Sequence, residues 1–105
     1  MAEVVWTEPA LLDIDGIAEY IALENIDAAR ALVQKIFSAI ERLEAHPQSG
    51  RTPEELSGSR YREIIVGPCR IFYRSLKNKV FILYVMRSER QLRKYILADR
   101  SVSDS

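Results

Sequence analysis

Val4, Val5 and Trp6 form a short apolar run, and directly after it the apolar spacing changes to threes and fours. The run is long enough only for a strand. Thr7 offers a helix N-cap, while Glu8 and Pro9 suit a first turn where negative charge meets the dipole and a missing N–H is tolerated. Leu11, Ile14, Ile17, Ala18 and Ile21 then give a first helix one apolar face, with Asp13, Asp15 and Glu19 turned outward. Asn25 and Asp27 mark a break and a second N-cap. Beyond them Leu32, Val33, Ile36, Phe37, Ile40 and Leu43 hold a helical stripe to about Ala45, where Pro47 stops it. The few residues between the two helices predict a hairpin. His46 reads as a group at the helix C-terminus rather than a catalytic one.

Gln48, Ser49, Gly50, Pro53, Ser57 and Gly58 describe a loop, with one helical turn at Glu54-Glu55-Leu56. Three strands follow, over 60–66, 69–75 and 80–86, joined by turns at Gly67-Pro68 and Lys77-Asn78-Lys79. The last is apolar on both faces, which predicts a central place in the sheet with helices over one side. Leu92, Ile96 and Leu97 sit at helical spacing in a basic stretch and predict a short C-terminal helix. The order predicts an α+β fold: an N-terminal strand, a helical hairpin, then a three-stranded antiparallel meander in one sheet.

Length limits this to a single domain over 1–100, followed by a flexible tail at 101–105. No apolar stretch approaches the roughly 20 residues that span a bilayer, and the N-terminus lacks the pattern of a signal peptide, so a cytoplasmic location with no membrane partner is expected. One cysteine, Cys69, and one histidine offer no set of soft metal ligands, and neither a metal nor a cofactor is expected.

The zero net charge conceals a polarity. Residues 1–59 carry four basic groups against eleven acids, and residues 60–105 carry eleven against four. The basic half points to an anionic partner, either nucleic acid or an acidic protein surface, although acidic helices packed on a basic sheet would also separate charge this way.

Candidate chemistry is sparse. A nucleophilic triad lacks a suitable histidine, and the carboxylate pairs Asp13 with Asp15 and Glu41 with Glu44 read as solvated surface. Arginine is what remains. Along 69–75 the period of two places Arg70, Phe72 and Arg74 on one face and Cys69, Ile71 and Tyr73 on the other. Arg62, Arg87, Arg90, Arg93 and Lys94 extend that basic face in this reading, with Tyr73, Tyr84 and Tyr95 nearby. Such a surface grips phosphates or carboxylates through fork-shaped hydrogen bonds. The bland reading pairs Arg70 and Arg74 with helix acids.

Val5-Trp6-Thr7 with Tyr20-Ile21, His46-Pro47 with Gly50-Arg51, Glu55-Leu56 with Gly58 and Arg60, the run Arg70-Ile71-Phe72-Tyr73-Arg74, and Ile82-Leu83 with Val85, Arg87 and Arg90 appear in this order along nearly the whole chain. Together they resemble the ParE/RelE superfamily of toxins from type II toxin–antitoxin systems, and lie closer to ParE. The resemblance implies growth arrest, plasmid stabilization, and a hetero-oligomer with an antitoxin from the same operon. It implies one of two targets. ParE-like members inhibit DNA gyrase by binding, and the residues expected to meet it are Arg70, Arg74, Arg87, Arg90 and Arg93, with no catalytic residue. RelE-like members are enzymes that cut mRNA in the ribosome, and here Arg70, Arg87, Arg90 and Tyr95 would match parts of that machinery. The lysines do not match: Lys35, Lys77, Lys79 and Lys94 lie outside the strand that reads Arg62-Glu63-Ile64, and an arginine makes a poor general base. The long second helix before His46-Pro47 also resembles ParE, whereas Arg87 stands where many ParE-like chains carry histidine.

Overall fold

The structure is a computed structural model in which residues 1–100 are described; the tail expected at 101–105 lies outside the described residues. Strand β1 (Glu3–Trp6) leads into helices α1 (Glu8–Ala22) and α2 (Ile26–Glu41), and strands β2 (Arg62–Val66), β3 (Cys69–Leu76) and β4 (Lys79–Arg87) precede a short helix α3 (Lys94–Arg100). They form one sheet in the order β1-β4-β3-β2. The meander is antiparallel and β1 lies parallel to β4, so β4 is central, as its two apolar faces demand.

Local chemistry sets the boundaries. Thr7 Oγ1 accepts from the Ala10 N–H at 3.4 Å and donates to the Ile82 carbonyl at 2.6 Å, so one hydroxyl caps α1 and ties it to β4. Asn25 Oδ1 caps α2 through the Ala28 N–H at 3.0 Å. The second helix becomes 3-10 over Arg42–Glu44, just short of the expected end. Lys77 and Asn78 both have positive φ, 51° and 63°, which gives the two-residue β3–β4 hairpin the twist its strands need. At the β2–β3 turn Gly67, at φ 54°, takes the left-handed place ahead of Pro68.

The helix hairpin covers one face of the sheet. Ile14, Leu32, Ile36, Ile40 and Leu43 pack there on Cys69, Ile71, Tyr73, Val80 and Ile82, and Trp6 meets Phe37 with ring centroids 4.8 Å apart. Burying Ile36 and Ile40 stabilises the fold by about 2 kcal/mol each. The opposite face was expected to be an open arginine surface. Instead it carries a second core in which Phe72, Leu83 and Met86 are covered by Leu92 and Leu97 from the C-terminal segment, with Leu56 and Tyr61 at its margin. Phe72, Leu83 and Leu97 are fully buried, and an apolar triplet of this size in the middle of a sheet requires a lid.

A bulge in β4 decides which side chains share a face. Phe72 pairs with Tyr84 but Tyr73 pairs with Ile82, so Leu83 is the extra residue. Leu83 and Tyr84 therefore both turn to the second core, and the alternation is reversed beyond them. Val85 and Arg87 are thrown onto the helix side.

Candidate functional site

Cross-strand register separates the arginines that period two had grouped. Arg70 pairs with Met86 and Arg74 with Phe81, both toward the second core. Arg62 pairs with Tyr73 and Arg87 with Cys69, both toward the helices. Arg62 and Arg87 thus do not extend the face of Arg70 and Arg74: Arg62 follows the plain alternation of β2, and Arg87 follows the reversal at the bulge.

Nor is the remaining face free to bind. Arg70 Nε donates to Glu63 at 2.7 Å, while its two terminal nitrogens donate to the two oxygens of Glu55 at 2.7 and 2.8 Å. Its guanidinium also lies 4.9 Å from the centroid of the Phe72 ring. Glu63 is buried and accepts a further bond from Arg51 Nε at 3.1 Å. The Arg70 hydrogen bonds, set against only slight burial, hold the Glu55 carboxyl down to about 2. The hydrogen bonds it donates to Glu55 and then to Glu63 raise the pKa of Arg70 in return. Two arginines and two carboxylates make a neutral cluster that stitches β2, β3 and the Glu54–Leu56 turn together. Arg74 is buried, with 8% exposure. The partners of Arg70 are therefore acids of β2 and the 3-10 turn rather than of the helices.

Glu63 was overlooked as a structural acid, although the two-residue Gly67-Pro68 turn could have revealed it. That turn fixes Ile65 opposite Arg70 and Glu63 opposite Phe72, so Glu63 is the diagonal neighbour of Arg70 on one face.

Asp13 departs from its expected outward position. Its Oδ2 accepts from the Val85 N–H at 3.0 Å and from Arg100 at 2.6 Å, and Arg100 also donates to the Leu83 carbonyl at 3.2 Å. The cause lies in strand length. β1 pairs only with Lys79–Ile82, so among the described residues the later part of β4 has no strand neighbour on that side, and Asp13 and Arg100 satisfy its backbone groups.

Between α1 and this part of β4 lies a groove of about 440 Å³. Leu12, Ile17, Tyr20 and Met86 give it apolar walls, and Arg87 and Arg90 stand at one end. Leu12 and Tyr20 are 60% and 59% exposed. Arg87 stacks over the Tyr20 ring at 4.3 Å from the centroid and pairs with Glu89 at 3.1 Å. Arg90 and Arg93 are exposed on the segment between β4 and α3, and Tyr95 on α3 is 67% exposed.

Of the groups that would match a ribonuclease, Arg70 lies on the second-core face, Arg87 on the helix face, and Arg90 and Tyr95 on the outer C-terminal segment. Arg87 and Arg90 share the groove, but Arg70 does not line it, and the four do not converge on one point. Cys69 and Tyr73 have raised pKa values, each chiefly from burial, and Tyr73 spends its hydroxyl as an acceptor for the Gly50 N–H at 2.8 Å. His46 is exposed beside the end of the 3-10 turn.

Comparison with known proteins agrees with this architecture. The protein Y4kP of Sinorhizobium fredii is 36% identical over 86 residues, which is 82% of this chain and 88% of that protein. Toxin RelE2 of Caulobacter vibrioides is 35% identical over 68 residues, 65% of this chain and 73% of its own length. Among solved structures, a chain of the chromosomal ParDE TA system from P. aeruginosa superimposes with a TM-score of 0.71 at 26% identity, covering 85% of this chain and 98% of that one. The family model for the ParE toxin of the type II toxin-antitoxin system, parDE, matches residues 4–92, from β1 through the buried Leu92 of the second core, and the chain belongs to that toxin family.

Proposed function

We propose that this toxin arrests growth in the cytoplasm by binding DNA gyrase, without chemistry of its own, and that a cognate antitoxin encoded beside it holds it inactive. The observation that carries the reading is the dispersal of the arginines. RNA cleavage by its own 2′-hydroxyl needs an activated attacking oxygen, a stabilised phosphorane and a protonated leaving oxygen around one point. Arg70 is tied to Glu63 and Glu55 on one face of the sheet, and Arg87 lies on the other. A binding inhibitor needs no such convergence. Its target contacts then fall to the exposed Arg90, Arg93 and Tyr95 with the neighbouring Arg87, and Arg70 acts by holding the sheet that presents them.

A supercoiling assay with purified gyrase tests this. Loss of supercoiling on adding the toxin is expected, and reversal of the charge at Arg90 and Arg93 should relieve it. Normal supercoiling, together with mRNA cleavage only when translating ribosomes are present, would reverse the assignment. The similarity to Toxin RelE2 supports that ribosome-dependent endoribonuclease as the second reading, which predicts that Tyr95→Phe abolishes cleavage and leaves antitoxin binding intact.

The antitoxin segment is assigned to the groove between α1 and β4. Leu12 and Tyr20 expose apolar surface there, and Arg87 and Arg90 favour an acidic segment. Co-purification with the product of the adjacent reading frame is expected, and Leu12→Glu should weaken it. Full retention of the complex by that variant would remove the groove from consideration.

A further inference from the structure

The helical hairpin carries a second apolar groove, of about 460 Å³, between α1 and α2. Ala18 and Ala22 of α1 and Ile26, Ala29 and Val33 of α2 line it. Helical spacing lengthens the strip. Leu11 stands seven residues before Ala18 and Phe37 four after Val33, so each continues its own wall, and both are exposed. At the tip of the hairpin Leu23 and Ile26 are 83% and 59% exposed. Apolar surface running the length of two helices marks a contact face rather than scattered exposure.

The rims of this groove carry opposite charges. Glu19 stands three residues before the end of α1 and Arg30 four after the start of α2, so the antiparallel course of the hairpin sets them at about the same level. Both are exposed. A two-fold axis along the groove lays α1 of one protomer over α2 of the other. It brings Glu19 to Arg30 of the partner subunit and Arg30 to Glu19 of the partner subunit, while the apolar strip meets its own copy. One surface thereby supplies both the acid and the base, which is what a face that recognises itself requires.

From this complementarity we infer that the groove docks a second copy of this chain, the two hairpins forming a four-helix bundle across the two-fold axis. Helices of 15 and 16 residues give a face about 22 Å long and about 20 Å wide. That is small for a specific interface, so the dimer is a weak one that forms at about micromolar concentration. The groove between α1 and β4 stays open in it, because Leu12 and Tyr20 lie on the other flank of α1. The inference therefore rests on neither the gyrase reading nor the antitoxin assignment.

The test is sedimentation velocity of the full-length chain from about 5 to about 500 µM. A concentration-dependent passage from monomer to dimer is expected. Glu19→Arg and Arg30→Glu each set like charges together at both pairs, and each alone should raise the dissociation constant at least about tenfold. Combined in one chain they should restore the wild-type dimer. Lys35→Glu changes the net charge as Arg30→Glu does, but on the flank of α2 away from the groove, and should leave the dimer unchanged. All three positions are exposed, so the variants should keep the wild-type melting temperature. A monomer at every concentration, a dimer that the single reversals leave intact, or a combined variant no tighter than the single ones would overturn the inference. So would a wild-type chain that stays monomeric while Arg30→Glu abolishes co-purification with the antitoxin, since the groove would then belong to the antitoxin.

Discussion

Arg100 meets Asp13 at 2.6 Å across 87 residues of sequence, joining the last helix to the first at the point where β4 outruns its neighbour β1. The pair seals a strand edge rather than decorating a surface. Asp13 takes the Val85 N–H and Arg100 gives to the Leu83 carbonyl, so the two side chains stand where a strand would have been. Tyr84 lies beneath, its ring centroid 5.0 Å from the Arg100 guanidinium, and burial raises its pKa.

Asp13→Ala should destabilise the protein by about 1–3 kcal/mol, because the Val85 N–H loses its acceptor and Arg100 its counter-charge. Asp13→Asn keeps an acceptor and should cost less. Urea denaturation measures both. Equal stability of the alanine variant and the wild type would show that the strand edge is satisfied by water alone.

Arg70→Ala should cost about 3–5 kcal/mol, since it leaves the buried Glu63 carboxylate with only the outer Arg51. Toxicity would then be lost through folding rather than through a target contact. Replacing Glu63 and Arg70 together by leucine should recover much of the stability. A double variant no more stable than Arg70→Ala would contradict this account of the cluster.

Gly50→Ala places a methyl carbon 2.6 Å from Tyr73 Oη and 2.8 Å from the Glu63 carbonyl oxygen, and the second of these is backbone that cannot swing away. The expected loss is about 1–3 kcal/mol. It should appear as a lowered melting temperature, with faster amide exchange at Arg51 and Glu63. Unchanged exchange there would mean the loop is not held by this contact.

Acid should weaken the protein through Glu55. Its folded pKa, about 2, lies below the ordinary 4.5, so the stabilisation is complete above the ordinary value and is lost as pH falls toward 2. The urea midpoints of wild type and Glu55→Gln should therefore converge as pH falls from about 4.5 to about 2. A side chain 36% exposed is partly screened, so the difference at neutral pH should be modest. A gap that stays constant through this window would remove Glu55 as the titrating group.

Much of the fold was legible along the chain. The caps Thr7 and Asn25, the stripe from Leu32 to Leu43, and the turns at Gly67 and Asn78 are local signals, although Lys79, read as part of the second turn, is the first residue of β4. The arginine face was not legible in the same way. Period two grouped Arg70 with Arg74 correctly, yet it could not foresee that the C-terminal segment would cover the same side of the sheet with Leu92 and Leu97.

By itself, then, the sequence determined the order of strands and helices, the helical hairpin and the family, because these rest on spacing and on motifs read within short windows. Where the charges stand follows from long-range packing instead. One extra residue, Leu83, reverses the alternation of β4 and carries Arg87 to the side of Tyr20, while a β1 too short to cover β4 draws Asp13 inward to Val85 and Arg100. Both follow from how unequal strands pair. The bulge lies in a hairpin that pairs Phe72 with Tyr84 and Tyr73 with Ile82, whereas β1 and β4 pair across a wide separation in sequence, Glu3 with Lys79, and no local pattern contains that second pairing.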